Sequence, residues 1–194
     1  MSVTTLCFLG CKRWELNGNE RYEDAATETV NEFEELSNIS WSLQLASLSD
    51  VQGSRKWAGM TDPNGVKRIA PNGGWDWVRL YEGYLKKPGA FVYALKSEGE
   101  LCALLGGGVS DSKVVTKLHY LESAPYVTPL SKYVLDISVT YVVTVANSMQ
   151  SHYTAIYEPN DKVREIAKRD YGFSEDNLFG TSRDFALYLS MSRL

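Results

Sequence analysis

The chain has 194 residues, 44% of them hydrophobic, enough for one domain with a real core, which excludes a disordered polymer. Twenty Lys and Arg against 24 Asp and Glu leave a net charge of −4, which argues against a general electrostatic hold on nucleic acid. No apolar run approaches the roughly 20 residues that span a bilayer.

The opening MSVTTLCFLGCKRWEL has no basic residue ahead of its apolar stretch, the reverse of a secretory signal, and residues 3–16 read as a first strand of a cytoplasmic protein. Cys7, Cys11 and Cys102 are an odd number, and His119 and His152 lie far from the first two. They read as reduced, buried thiols rather than disulfides or zinc ligands. From Tyr22, the apolar Ala25, Ala26, Val30, Phe33 and Leu36 fall at helical spacing, with acidic residues on the other faces. A second, weaker helical pattern runs through residues 41–60 on Trp41, Leu43, Leu45, Leu48 and Val51.

A long loop follows at residues 53–74, locally basic through Arg55, Lys56, Lys67 and Arg68, and then WDWVRLYEGYLKKPG forms a short amphipathic helix. Three antiparallel strands are predicted near 90–96, 100–109 and 114–122. Gly106-Gly107-Gly108 lies within the second, a glycine-rich and bulged strand rather than a phosphate loop, since no Gly-Lys-Ser/Thr follows. Residues 130–149 mix β-branched side chains with a helical repeat of Leu130, Val134, Ile137, Tyr141, Val145 and Met149, and the period, held for five turns, predicts a helix. HYTAIYEP then reads as a strand, residues 160–172 as a helix capped by Asn160 or Asp161, and FALYLSMSRL as a closing strand. No repeat or low-complexity tract divides the chain, so a single α/β domain is expected over 1–194, with a mixed, largely antiparallel sheet of about six or seven strands flanked by helices.

This order of elements, with the strand ending at Leu121-Glu122-Ser123-Ala124-Pro125, the long helix, and the closing strand, Asn160-initiated helix and Gly172-Phe173, resembles the GNAT superfamily of acyl-CoA-dependent N-acetyltransferases over nearly the whole chain. The resemblance implies a single GNAT-like domain that takes acetyl-CoA as acyl donor and acetylates a primary amine of a small molecule or protein. Hydropathy and net charge predict no membrane partner and argue against nucleic acid, and a homodimer is left open. The divergence suits a member carried by a phage or mobile element.

In such a layout a sheet splayed beside a helix N-terminus offers backbone N–H groups to a pyrophosphate. Most of the superfamily has Gln or Arg, two residues, Gly, one residue, then Gly or Ala there, whereas this chain has VTPLSKYV without glycine. The resemblance places Leu121, Ser123, Leu130, Ser131, Lys132, Tyr133 and Asn160 against the cofactor, with Lys132 and Ser131 supplying charge and a donor in place of the glycines. It makes Glu122 the base that takes the acceptor's proton, His119, earlier on the same strand and on the same face, its helper, and Tyr171 the acid for the leaving thiolate. Without the family, Glu122 is an exposed strand-end carboxylate, Asn160 a helix cap, Tyr171 a packed ring and His119 a structural histidine. The alternative to the enzyme is a catalytically silent GNAT-fold module that binds a protein or nucleic-acid partner through its aromatic surface. Acceptor entry is expected between loop 53–74 and Glu122.

Overall fold

The computed structural model describes residues 18–69, 73–175 and 186–193; the strand expected at 3–16, with Cys7 and Cys11, lies outside them. Helix α1 (Gly18–Glu32) buries Tyr22, Ala25, Ala26 and Thr29 along one stripe, and Leu36 follows in a 3-10 turn. Residues 41–60 are not one helical stretch. Trp41, Leu43 and Leu45 also alternate, and they form strand β1 (Trp41–Leu45). Ser47 then starts helix α2 (Leu48–Gly53) with a capping box: its hydroxyl accepts from the Asp50 N–H at 3.2 Å, and the Asp50 carboxylate accepts from the Ser47 N–H at 2.9 Å.

Helix α3 (Trp77–Tyr84), capped by Asp76, leads into strands β2 (Ala90–Ser97), β3 (Glu100–Val109) and β4 (Val115–Ser123). Helix α4 (Val134–Met149) carries the chain to β5 (Tyr153–Tyr157), and α5 (Asp161–Tyr171), capped by Asn160, and β6 (Ala186–Ser190) complete the described order. The closing segment thus contributes five strand residues and ends in a 3-10 turn. Helix wins at 134–149 because packing outweighs propensity. Each β-branched residue costs at most about 0.7 kcal/mol in a helix, whereas burying Ile137, Tyr141, Val142 and Val145 is worth ~2 kcal/mol apiece.

The six strands lie in the order β1-β2-β3-β4-β5-β6, antiparallel except for the parallel β4–β5 pair bridged by α4. Tyr93, Leu95, Leu105 and Leu118 face α1 and α4, while Val92, Ala94 and Leu104 face Trp57, Trp77 and Val78 on the other side. Two irregularities in β4 build the site. Gly106 pairs with Tyr120 and Gly107 with Leu118, so His119 is the extra residue of a bulge. The β4–β5 ladder also stops at Leu118–Ile156, although β3 stays paired with β4 as far as Ser123. No helix among the described residues is long and apolar enough to cross a membrane.

Candidate active site

Beyond Leu118 the two parallel strands separate, and a cleft of about 330 Å³ opens between them, walled by residues 118–121 of β4 and by residues 156–160 with Val163. The β4 edge that faces it has no ladder partner from His119 onward, so its backbone N–H and C=O groups can pair with an extended ligand. Leu121 and Asn160 line this cleft. Asn160 also acts as the helix cap, its Oδ1 accepting from the Val163 N–H at 2.9 Å.

A second cavity of about 380 Å³ lies on the α3 side of the sheet, and the two share Trp75, His119 and Tyr120. In a regular strand His119 and Glu122, three apart, would point to opposite faces; the bulge puts both on the α3 face, where His119 Nδ1 is 2.8 Å from the Tyr84 hydroxyl. Burial, with the charges of Lys117 and Lys87 behind it, depresses the imidazole pKa to about 4, so His119 is neutral at pH 7. Burial also raises the Tyr84 phenol, which stays protonated.

The unfolded chain, with the ordinary His value of 6.5, binds more protons than the folded one between pH 6.5 and about 4, so stability falls as pH drops through that window. The urea midpoint is expected to fall between pH 6.5 and 4.5, and less steeply in His119→Gln, as equilibrium denaturation at several pH values would show.

Glu122 is not an exposed strand-end carboxylate: it is 1% exposed, and both oxygens have partners. Oε1 accepts from the Gly74 N–H at 2.6 Å and Oε2 from the Trp77 indole N–H at 2.7 Å. The carboxylate therefore fastens the turn before α3 to the end of β4. Gly73, at φ +102°, passes so close that a Cβ there would lie 2.8 Å from Glu122 Oε1. Glu122 is not among the residues lining the two cavities.

Tyr171 donates to the Asp136 carboxylate in the first turn of α4 and packs with the small core under α5, away from the lining of the cleft. Two phenols line the cleft: Tyr120, shared with the second cavity, and Tyr157, which receives a hydrogen bond from Lys117 Nζ at 3.0 Å. Sequence reasoning passed over it as an ordinary strand residue, because only the strand separation exposes it.

Between β4 and α4, Ser131 Oγ accepts from the Thr128 N–H at 2.8 Å, Ser131 and Lys132 are exposed, and Tyr133 is half-buried. Leu130 is wholly buried in the α1–α4 core, so its side chain is a packing residue. Ser123 accepts from Arg68 at 3.1 Å. Arg68 also pairs with Asp62 at 3.5 Å, so of the four basic residues of loop 53–74 it points inward while Arg55, Lys56 and Lys67 stay exposed. The turn at 73–77 closes over Glu122, and the open cavity lies instead between α3 and the β4 bulge. Of the tryptophans, Trp57 and Trp77 are core and Trp75 lines both cavities.

No family model and no curated protein sequence matches the chain. Its structure is similar to that of the spermidine/spermine N-acetyltransferase SpeG from Vibrio cholerae, with a TM-score of 0.51 at 12% identity, covering 79% of this chain and 94% of that one. It is likewise similar to RimJ from Mycobacterium smegmatis, whose structure holds CoA-disulfide, with a TM-score of 0.54 at 11% identity over 80% of this chain and 87% of the other. At such identities the likeness is one of fold, and the architecture built above, a six-stranded mixed sheet split between its two parallel strands, is the fold of the GNAT acetyltransferases.

Proposed function

We propose that the protein transfers an acetyl group from acetyl-CoA to a primary amine of a small molecule or a protein. The observation that carries this reading is the junction at Trp75, His119 and Tyr120, where the cleft between the parallel strands meets the cavity under α3. A donor in one and an acceptor in the other would meet at the bulge, which is the proximity that a two-substrate transfer requires. The residues of the cleft suit an extended donor arm: the β5-side backbone of β4 from His119 to Leu121, which has no ladder partner, on one wall, Tyr157 to Asn160 on the other. Lys132, Ser131 and the N-terminus of α4, where Tyr133 provides no side-chain cap, suit its phosphates.

Acetyl-CoA supplies an activated thioester; the amine nitrogen attacks its carbonyl carbon, the carbon–sulfur bond breaks, and the amine loses a proton. His119 is the group positioned to take that proton. Its Nε2 has no partner among the described residues, and acceptance there requires that the Nδ1–H donate to the Tyr84 oxygen. The leaving sulfur takes its proton from the Tyr157 phenol or from water. Glu122 serves as a positioning residue that fixes α3, and Tyr171 steadies α4 through Asp136.

Calorimetric titration with acetyl-CoA tests the reading. Saturable binding is expected, with a dissociation constant in the micromolar range, and no detectable binding at millimolar ligand overturns it. Asp136 in the first turn of α4 and the glycine-free turn before it favour a second reading, a GNAT-fold module without catalysis, which that negative result would support.

A further inference from the structure

We infer that the acceptor is a small aromatic amine that carries a carboxylate, bound in the cavity between α3 and the β4 bulge. This rests on the transferase reading for the turnover step but not for binding. The apolar wall comes from rings: Trp75 meets Tyr120 edge-on at 5.6 Å between centroids, and Tyr84 meets Tyr120 in the same way at 6.5 Å. These edges and faces suit a flat body. The volume, about 380 Å³, is at the small end of ligand pockets and suits one compact molecule.

Its charges are unequal. Arg79 and Lys87 line the cavity, and neither makes an ion pair among the described residues. The one lining carboxylate, Asp76, accepts from the Arg79 N–H at 3.1 Å as the cap of α3. Lys117 adds positive charge beside His119 on the neighbouring side. An acceptor must present its amine to His119 at the floor, so a second ammonium would face Arg79 or Lys87, whereas a carboxylate there is attracted. The cavity is therefore built against polyamines, the substrates named for the structurally similar SpeG. Positive surroundings also favour the neutral form of the acceptor amine, which is the reactive one.

Gly83 supplies a clean probe. It faces this cavity from the last turn of α3, and a Cβ there meets nothing within 4 Å, so the backbone admits a side chain at this position and Gly83→Leu introduces one at the cavity.

The experiment compares L-phenylalanine, phenethylamine and spermidine, read both as calorimetric binding in the presence of CoA and as acetyl transfer. Phenylalanine is expected to exceed phenethylamine by about tenfold in affinity and in kcat/KM, as two exposed cations allow, with spermidine poorest. The double variant Arg79→Gln/Lys87→Gln should erase that preference, and Gly83→Leu should abolish amine binding, while acetyl-CoA binding stays unchanged in both. Spermidine or phenethylamine binding as well as phenylalanine, none of the three binding, or Gly83→Leu leaving binding intact would overturn the inference. Phenylalanine binding that is lost in Gly83→Leu, in a protein that does not bind acetyl-CoA, would uphold the site and overturn the transferase reading alone.

Discussion

Gly107→Ala is expected to destabilise the protein by about 3 kcal/mol or more, lowering the melting temperature by roughly 10 °C. A Cβ at this position would lie 2.1 Å from the Lys117 carbonyl oxygen of β4 and 2.6 Å from the Phe91 ring of β2. The first contact is with backbone in the sheet's centre, so no rotamer change relieves it; the β3–β4 ladder would have to open where the bulge begins. Gly106→Ala is the control. Its Cβ would meet the Trp77 ring at 3.5 Å, an ordinary contact, and the melting temperature should change little. Thermal denaturation of the two variants decides the matter: equal, small effects would mean that the close approach at Gly107 is not what holds the bulge. The effect should extend to function, because the bulge brings His119 and Tyr120 to one face, at the junction of the two cavities.

The parts of this fold that were legible in the sequence are those fixed by local signals. Strands β2 to β4, the long helix over Val134–Met149 and the Asn160-capped helix follow from alternation, a sustained helical period and cap chemistry. Residues 41–60 misled because Trp41, Leu43 and Leu45 fit both periods; the Ser47-x-x-Asp50 box, a start signal inside the supposed helix, was the feature that divides them.

The site was legible only in part. The splay of β4 from β5, expected from the family resemblance, is present, and Leu121 and Asn160 line it. What no local pattern carries is contact across the chain. The partners of Glu122, Gly74 and Trp77, lie 48 and 45 residues away, those of Tyr171 and His119 lie 35 away, and all were invisible to spacing rules. The bulge was half legible: the expected irregularity at Gly106-Gly107-Gly108 is where the β3–β4 register shifts, but the extra residue, His119, stands in β4, and nothing in that strand's composition marks a residue that reverses the side to which everything beyond it points.

Glu122→Gln and His119→Gln are expected to fail in different ways, and the contrast separates positioning from proton transfer. The Glu122 carboxylate accepts two hydrogen bonds in a buried place, from a backbone N–H and from an indole N–H. An amide can satisfy only one of them, because its NH2 end would confront the other donor, and a charge-assisted bond of this kind is worth about 2–3 kcal/mol. Glu122→Gln should therefore lower the melting temperature by roughly 5–10 °C, and Trp77→Phe, which removes one donor, by a similar amount. Loss of activity in Glu122→Gln should follow the loosening of α3, raising KM for the acceptor more than it lowers kcat. His119→Gln leaves that anchor intact. It should keep its melting temperature at neutral pH within about 2 °C and lose kcat by about 100-fold, the usual size of a general-base contribution. The reverse outcome, an unaltered melting temperature with a 100-fold loss of kcat in Glu122→Gln and little loss in His119→Gln, would move the proton acceptor back to the carboxylate. In that case the Gly74 and Trp77 donors would have to let it go during turnover, and the turn at 73–77 would be a moving part rather than a fixed wall.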